Sequence, residues 1–236
     1  MGEFKIAETK TGIAEGGWAN NPNDKGGETA FGIARKFWPT WGGWKYIDEI
    51  KAKYGTKASV INKYVKSNPV IMALISQFYK INFWDVLKLD QIKDQQLAET
   101  VYDFGVNSGT GRSAKYLQEA VNNLGGSLKV DGQIGNQTIT QANSINPSQL
   151  HTEFNKLRRD FYNSIAKGNQ KQFLNSWLSR LHPYNEMKMI QYKLGITADG
   201  IYGDKTKEAI KEFQAKHGLK VDGIPGKNTT DTFYKL

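Results

Sequence analysis

The chain has 236 residues, 39% of them hydrophobic, which is enough for one large domain or for a domain with small modules. It has no cysteine, so disulfides, cysteine-ligated zinc sites and cysteine nucleophiles are excluded. The net charge of +9 and the isoelectric point near 9.4 suit a polyanionic partner such as nucleic acid, an anionic membrane or an anionic cell wall, and the alternative is that the excess lysine only keeps the chain soluble. Because the N-terminal residues lack an apolar stretch and no run reaches the roughly 18 apolar residues of a membrane span, we expect neither a signal peptide nor membrane insertion.

The first segment of the chain predicts a helix over residues 3–15, followed by a turn-rich loop over residues 16–33 with two short strands. Its Gly, Asn, Pro and Asp residues can fold the chain back, so that Asp24 faces Glu15 across a narrow gap. A carboxylic acid facing a carboxylate is the minimum equipment for cleaving a glycosidic bond. A carboxylate at the C-terminal end of a helix opposes the helix dipole, which favours the protonated form that a general acid needs.

Thr29 closes the loop and is a candidate for holding a water molecule at this site. Glu28 is the competing acid, but the alternation of a strand predicts that it lies on the opposite face from Thr29. Two simpler interpretations remain open, namely that Asp24 only caps the loop and that Thr29 is only a strand hydroxyl.

The segments that follow the loop predict a mainly helical domain. Five aromatic rings lie between residues 37 and 46, where they either stack on sugar faces or pack in the core. Tyr79, Trp84 and Asn107 are further candidate sugar contacts, and each has packing or capping as its alternative. Helical periodicity is found in several later segments, namely 46–66, 69–83, 94–106, 112–124 and 147–181.

An internal repeat occupies the second half of the chain. Three segments share an Asp-Gly turn, a second glycine just before a helix and a threonine in its first turn. They are Val130-Asp-Gly-Gln-Ile-Gly-Asn-Gln-Thr138, Ala198-Asp-Gly-Ile-Tyr-Gly-Asp-Lys-Thr206 and Val221-Asp-Gly-Ile-Pro-Gly-Lys-Asn-Thr229. Each turn has too few acidic residues for a calcium loop, so we expect these turns to form a shallow binding surface instead.

On these motifs, residues 186–236 resemble the small peptidoglycan-binding domain found at the ends of many wall hydrolases. The resemblance implies a three-helix wall-binding module to which Asp199, Tyr202 and Asp222 belong. A related single-copy peptidoglycan-binding region is expected at about residues 96–145.

The opening stretch resembles the phage-lysozyme-like N-acetylmuramidases of the glycoside hydrolase 108 type. The matching residues are Glu15-Gly-Gly-Trp18, Asn21-Pro-Asn-Asp-Lys-Gly-Gly27, Thr29 and Gly32-Ile33. The resemblance is sharp over residues 13–33 and loose over residues 1–180, and it implies that Glu15 is the general acid. Trp18 belongs to the matching stretch and is a candidate substrate contact. The Trp-rich stretch 37–46 has no counterpart in the family pattern.

The expected fold is mainly α, with a lysozyme-like helical catalytic domain and its small β-hairpin loop at residues 1–182, and the wall-binding module at residues 186–236. The expected reaction is hydrolysis of the β-1,4 bond between N-acetylmuramic acid and N-acetylglucosamine of peptidoglycan. Glu15 acts as the acid, and Asp24 as the base on a water that Thr29 holds. Two alternatives stay open, a lytic transglycosylase that uses Glu15 alone and a non-catalytic wall-binding protein.

The remaining expectations concern partners and location. His151, His182 and His217 lack metal-ligand spacing, so we expect no metal and no cofactor. We expect a monomer that binds peptidoglycan rather than nucleic acid, because the aromatic residues do not interleave with Lys and Arg in a nucleic-acid motif. We also expect synthesis in a host cytoplasm and action on the wall after release, as a phage endolysin or an antibacterial toxin.

Overall fold

The computed structural model describes residues 2–13, 16–20, 27–198, 200 and 202–235. Residue contacts divide the chain into two compact units. The smaller unit is residues 11–82, and the larger unit is residues 1–10 with 83–236. The described secondary structure is mainly helical, as the sequence predicts, with a small antiparallel sheet in the smaller unit.

The elements follow the chain in a simple order. The first are α1 (Phe4–Lys10), β1 (Trp18–Asn20), β2 (Glu28–Ala30), β3 (Ile33–Ala34), α2 (Gly43–Tyr54), α3 (Ala58–Ser67) and α4 (Pro69–Tyr79). A π-helical segment (Lys80–Asp85) and a 3₁₀ turn (Leu89–Gln91) lead to α5 (Gln95–Ser108) and α6 (Thr110–Asn123). The chain continues with α7 (Asn136–Ser144), α8 (Pro147–Ile165), a 3₁₀ segment (Gly168–Phe173), α9 (Leu174–Leu178), α10 (Glu186–Lys193), α11 (Asp204–Lys216) and α12 (Lys227–Lys235).

Three of these elements differ from the sequence prediction. α1 ends at Lys10, so the helix predicted over residues 3–15 is shorter than expected. The helix predicted over residues 46–66 is two helices, because Gly55 adopts a φ of 80° that ends α2. The loop predicted to hold two strands has a third, β3, which pairs with β2 through the tight turn at Phe31 and Gly32.

The smaller unit packs its three helices and its sheet around one apolar core. α4 begins at Pro69, and the Asn68 side chain accepts hydrogen bonds from the N–H groups of Val70 and Ile71, which otherwise lack helical partners. The buried side chains of this core are Ala30, Phe31, Ile33, Trp44, Ile47, Ile61, Val65, Ile71, Ile75 and Phe78. Burying these apolar side chains stabilises the sheet, whose short strands would not be stable by themselves.

The larger unit is built on α5, which packs against α1, α6 and α8. Asp94 caps α5 by accepting from the Leu97 N–H at 2.7 Å. Phe4 of α1 meets the rings of Trp84 and Tyr102 edge-on, each at 5.8 Å between centroids. Lys10 at the end of α1 forms an ion pair with Glu99 of α5 at 2.5 Å. α1 is therefore held to this unit at both ends.

The three Asp-Gly turns share one structural device, a buried glutamine on the preceding helix that binds the turn backbone. In the first copy, Gln118 of α6 accepts from the Gly132 N–H at 2.9 Å and donates to Asp131 and to the Gln133 carbonyl, each at 3.0 Å. Gly132 has a φ of 80°, which favours glycine at this position. We call this arrangement the glutamine clamp.

The other two copies repeat the glutamine clamp. Gln191 of α10 accepts from the Gly200 N–H at 2.7 Å and donates to the Thr206 hydroxyl at 2.9 Å. Gln214 of α11 accepts from the Gly223 N–H at 2.8 Å and donates to Asp222 Oδ1, the Ile224 carbonyl and the Thr229 hydroxyl at 3.0, 2.9 and 3.1 Å. In these two copies, the Asp-Gly turn and the threonine of the next helix surround one glutamine side chain, which accounts for the spacing between turn and threonine.

Candidate active site

Thr29 lies in the middle of β2, the central strand of the sheet. It is opposite Ala19 of β1 and Ala34 of β3. Its side chain is partly exposed, whereas Ala30 next to it is completely buried. Because neighbouring side chains of a strand point to opposite faces, Thr29 lies on the face away from Ala30 and Glu28, as the alternation predicts.

Glu28 contacts two cations and an indole. Its carboxylate pairs with Arg35 Nε at 2.7 Å and Lys51 Nζ at 2.8 Å, and it accepts from the Trp18 indole N–H at 2.7 Å. Its side chain is only 12% exposed. Since both cations and the indole contact its oxygens, the Glu28 carboxylate ties β2 to β1 and to α2.

The same cations continue the network to the surface. Arg35 binds Asp48 through two nitrogens at 2.7 and 3.0 Å, and its guanidinium lies 4.4 Å from the centre of the Trp44 ring. The Arg35 hydrogen bonds, followed by those of Lys51, hold the pKa of the Asp48 carboxyl below its ordinary value. This network ties β2 to α2.

Trp18 and Tyr79, which the sequence suggests as sugar contacts, are buried. Trp18 is 6% exposed, and its indole N–H binds Glu28. Tyr79 is 4% exposed and donates its hydroxyl to the Phe31 carbonyl at 2.6 Å, and burial raises its pKa to about 12. Both residues therefore position the sheet that carries Thr29, and neither presents a ring face to a sugar in this structure.

The turn that Tyr79 holds has a backbone that glycine favours. Phe31 has a φ of 53° and Gly32 has a φ of 83°. A Cβ at Gly32 would lie 2.5 Å from the Tyr79 hydroxyl oxygen. Glycine is therefore favoured at position 32 for two reasons, the positive φ and the lack of space for a Cβ beside the Tyr79 hydroxyl.

Asn62 of α3 is a positioning residue that the sequence does not reveal. Its Oδ1 accepts from the Trp18 N–H at 2.6 Å, and a Cβ at Gly17 would come within 2.8 Å of its Nδ2. The Gly17 carbonyl in turn accepts from the Phe31 N–H at 2.8 Å. The residues that immediately follow Glu15 in the chain are therefore anchored to α3 and to the β2–β3 turn. No pattern distinguishes Asn62 from the other polar residues of its helix.

Phe37 and Trp38 are exposed aromatic residues of the smaller unit, as is Tyr54 of α2. They are 67% and 40% exposed, whereas Trp44 in the same stretch is 3% exposed. The N–H groups of Phe37 and Trp38 bind the Ala34 carbonyl at 3.1 and 2.9 Å. Because Ala34 is the cross-strand partner of Thr29, this aromatic pair lies at the edge of the sheet that carries Thr29.

Trp84 and Asn107 belong to the larger unit. Trp84 is 1% exposed and packs edge-on against Phe4 and Tyr102, so it has no ring face for a sugar. Asn107 is exposed, and its Nδ2 donates to the Asp103 carbonyl at 2.7 Å. Trp84 is therefore a core residue, and Asn107 remains an accessible amide beside the Asp103 carboxylate.

The C-terminal repeat places two of its predicted wall-binding residues in the turns. Tyr202 donates its hydroxyl to the Gly223 carbonyl at 2.6 Å. Burial alone would raise the pKa of Asp222, but the Ile224 N–H, the Gln214 amide and Lys220 together hold it below its ordinary value. Asp222 therefore serves first to shape its turn.

Three of the predicted site residues, Glu15, Asp24 and Asp199, lie outside the described residues. Within the described ranges, no group of three His, Asp or Glu side chains could hold a metal ion. None of the helices in the described part of the chain combines the length and the apolar content needed to cross a membrane.

Comparison with known proteins assigns the segments of the chain. Residues 9–109 match the family model described as glycosyl hydrolase 108. Residues 112–182 match a predicted peptidoglycan domain, and residues 168–232 match a putative peptidoglycan binding domain. Among solved structures, the chain is similar to the structure of Brucella abortus SagA, with 25% identity and a TM-score of 0.51, over 75% of this chain and 88% of that chain. No curated protein matches the sequence.

Proposed function

We propose that this chain, which carries a glycosyl hydrolase 108 domain followed by two peptidoglycan-binding domains, hydrolyses the β-1,4 bond between N-acetylmuramic acid and N-acetylglucosamine. The family matches support a peptidoglycan-degrading enzyme of the glycoside hydrolase type, with peptidoglycan as its partner. We propose the cleavage of this particular bond and the roles of the individual residues that follow.

In the proposed mechanism, Glu15 donates a proton to the glycosidic oxygen. Asp24 accepts a proton from a water molecule that attacks the sugar, and the Thr29 hydroxyl helps to orient that water. If the two carboxyl groups are roughly 6.5–9.5 Å apart, the water fits between them and the configuration at the sugar carbon is inverted.

The observation that carries this proposal is the state of Glu28. An acid in glycoside hydrolysis must hold a proton and release it to the leaving group. The Glu28 carboxylate contacts Arg35, Lys51 and Trp18, so its oxygens are already occupied by groups of the fold. This supports Glu15 and Asp24, the other carboxyl groups of the matching stretch, as the proposed reacting pair.

We propose Phe37 and Trp38 as the sugar-stacking residues of this site. Their rings are exposed, and their backbone is tied to the cross-strand partner of Thr29. Aromatic faces pack well against the apolar faces of sugar rings.

The test is digestion of purified peptidoglycan by the wild type, Glu15→Gln and Asp24→Asn, with the products reduced and identified by mass. The control is Glu49→Gln, because Glu49 is an exposed glutamate of α2 in the smaller unit. We expect reducible muramic acid ends with the wild type and the control, and loss of cleavage in both site variants. Anhydro ends that persist in Asp24→Asn would make the enzyme a lytic transglycosylase, and binding without cleavage would make the chain a wall-binding protein.

A further inference from the structure

A cavity of about 260 Å³ lies inside the larger unit, between α1 and the turns of the C-terminal repeat. It joins two predicted wall-binding residues, Tyr202 and Asp222, to side chains of the N-terminal helix. Because its wall comes from both ends of the chain, the C-terminal repeat does not form this cavity by itself.

The cavity has a largely apolar lining. Ile6 of α1 contributes from one side, and Ile224, Pro225 and the Tyr202 ring contribute from the other. The Tyr202 hydroxyl is bound to the Gly223 carbonyl at 2.6 Å, which fixes the ring at the cavity wall. An apolar lining of this size suits small aliphatic groups such as the methyl groups of alanine residues.

Three lysines and one carboxylate line the cavity, namely Lys5, Lys10, Lys207 and Asp222. Lys5 and Lys10 are paired with Glu8 and Glu99, so Lys207 is the lysine of the lining for a ligand carboxylate. Burial opposes the charge of Lys10, but the neighbouring Glu99 raises the pKa of Lys10 above its ordinary value, so it is a cation. Asp222 Oδ1 accepts hydrogen bonds from the Gln214 amide and the Ile224 N–H, so this carboxylate holds the turn together.

We propose that this cavity binds the stem peptide of peptidoglycan, with the alanine methyl groups against Ile6, Ile224 and Pro225 and a carboxylate near the lysines. The proposal rests on the proposed function for its choice of ligand. It assigns half of the peptide site to α1, the helix that precedes Glu15 in the chain. Lys5, Ile6 and Lys207 are then binding residues of the full-length protein.

The test is calorimetric titration of the full-length protein with the synthetic pentapeptide Ala-γ-D-Glu-Lys-D-Ala-D-Ala and with its C-terminal amide. We expect the free acid to bind at least fivefold more tightly than the amide. Lys5→Glu and Lys207→Ala should each weaken binding of the acid at least fivefold, and Ile6→Asn at least tenfold. Lys216→Ala is the matched control, because Lys216 is an exposed lysine at the end of α11 and does not line the cavity.

Lys5 has a side chain that is 79% exposed, so Lys5→Glu tests the cavity with little risk to folding, whereas Ile6→Asn is interpreted only if its thermal unfolding matches the wild type. Equal binding by the wild type and the Lys5 and Lys207 variants would overturn the proposal. So would absence of peptide binding together with binding of a glycerol phosphate oligomer, which would assign the lysines to a phosphate polymer. The peptide has no glycosidic bond, so this result is independent of the cleavage test with Glu15→Gln.

Discussion

The indole N–H of Trp18 lies 2.7 Å from Glu28 Oε1, so the strand after the Glu15 segment is tied to the strand that carries Thr29. Trp18 is opposite Ala30, and Asn20 is opposite Glu28, so this hydrogen bond crosses the β1–β2 pair diagonally. The bond joins the two sides of the loop that contains Asp24. It gives Glu28 a structural role that can be separated from catalysis.

Replacing Glu28 should therefore lower the stability of the fold, because its contacts are structural. Glu28→Gln keeps an acceptor for Trp18 but leaves Arg35 and Lys51 with Asp48 as their only shared anion among the described contacts. Since removal of one partner from a largely buried ion pair is destabilising, we expect a loss of about 1–3 kcal/mol in the free energy of unfolding. Urea denaturation measures this loss. Glu15→Gln should show the reverse, with normal stability and no cleavage, and normal stability of Glu28→Gln would contradict this role.

Tyr79 and Gly32 should be energetically coupled. Gly32→Ala places a methyl group 2.5 Å from the Tyr79 hydroxyl oxygen and also strains a positive φ. We expect Tyr79→Phe to cost about 1 kcal/mol through its lost hydrogen bond. In the Tyr79→Phe background, Gly32→Ala should lose its steric clash and retain only the backbone strain of about 1 kcal/mol. A double-mutant cycle of unfolding free energies measures the difference, and strictly additive effects would refute the close contact.

Phe37 should contribute to substrate binding without contributing to folding. Its side chain is 67% exposed, so Phe37→Ala should change the free energy of unfolding by no more than about 0.5 kcal/mol. Loss of a stacking contact worth about 1 kcal/mol should lower kcat/KM on peptidoglycan roughly fivefold. Val70→Ala is the control, because Val70 is an exposed apolar residue of the same unit. An unchanged kcat/KM for Phe37→Ala would remove Phe37 from the site.

Gln214 should be required for the C-terminal repeat. It is 1% exposed and binds Asp222, the Gly223 N–H, the Ile224 carbonyl and Thr229. Gln214→Ala leaves several buried polar groups unpaired, and we expect a loss of about 2–4 kcal/mol in this segment. Hydrogen exchange should show faster exchange at Gly223 and Ile224, with no change in the smaller unit. Glu212→Ala, at an exposed position of the same helix, should leave the exchange rates as they are.

His151 should make the protein less stable in mild acid. It is 1% exposed, and burial together with the nearby Arg158 lowers its pKa to about 4 from an ordinary value of 6.5. The unfolded chain therefore binds a proton between pH 6.5 and pH 4 that the folded chain does not. The stabilisation is complete above pH 6.5 and decreases as the pH falls towards 4, by on the order of 2 kcal/mol at pH 5.

The measurement for His151 is urea unfolding of the wild type and His151→Gln at pH 7 and pH 5. The Thr100 hydroxyl, 3.0 Å from His151 Nε2, can still bind the glutamine amide. We expect the difference between the two pH values to be smaller in the variant. His217→Gln is a control at a less buried histidine, and equal pH dependence in the wild type and His151→Gln would contradict the assignment.

Sequence reasoning succeeded where a single periodic pattern decides the structure. The helical period predicted α4, α5 and α6, and the strand period of two placed Thr29 and Glu28 on opposite faces. Sequence reasoning failed where contacts between residues far apart in the chain determine which side chains are buried. Trp84 is buried while Phe37 is exposed, and no local pattern separates these two aromatic residues. A contact such as Asn62 with Trp18 joins residues 44 positions apart, which spacing within one element does not reveal.

The internal repeat was likewise predictable in one part and not in another. The Asp-Gly turns were predictable because glycine and aspartate have strong turn preferences. The contact of each glutamine with its turn could not be predicted from spacing, because Gln118 is 13 residues from its aspartate, whereas Gln214 is 8 residues from its own.

This difference in separation has a consequence for protein engineering. One buried amide sets the shape of each turn, so the connection between the helix and the turn has no fixed length. The segment between Gln214 and Asp222 is therefore a suitable place to insert a peptide tag or a reporter loop, since lengthening it towards the separation of the first copy leaves the clamped groups within reach.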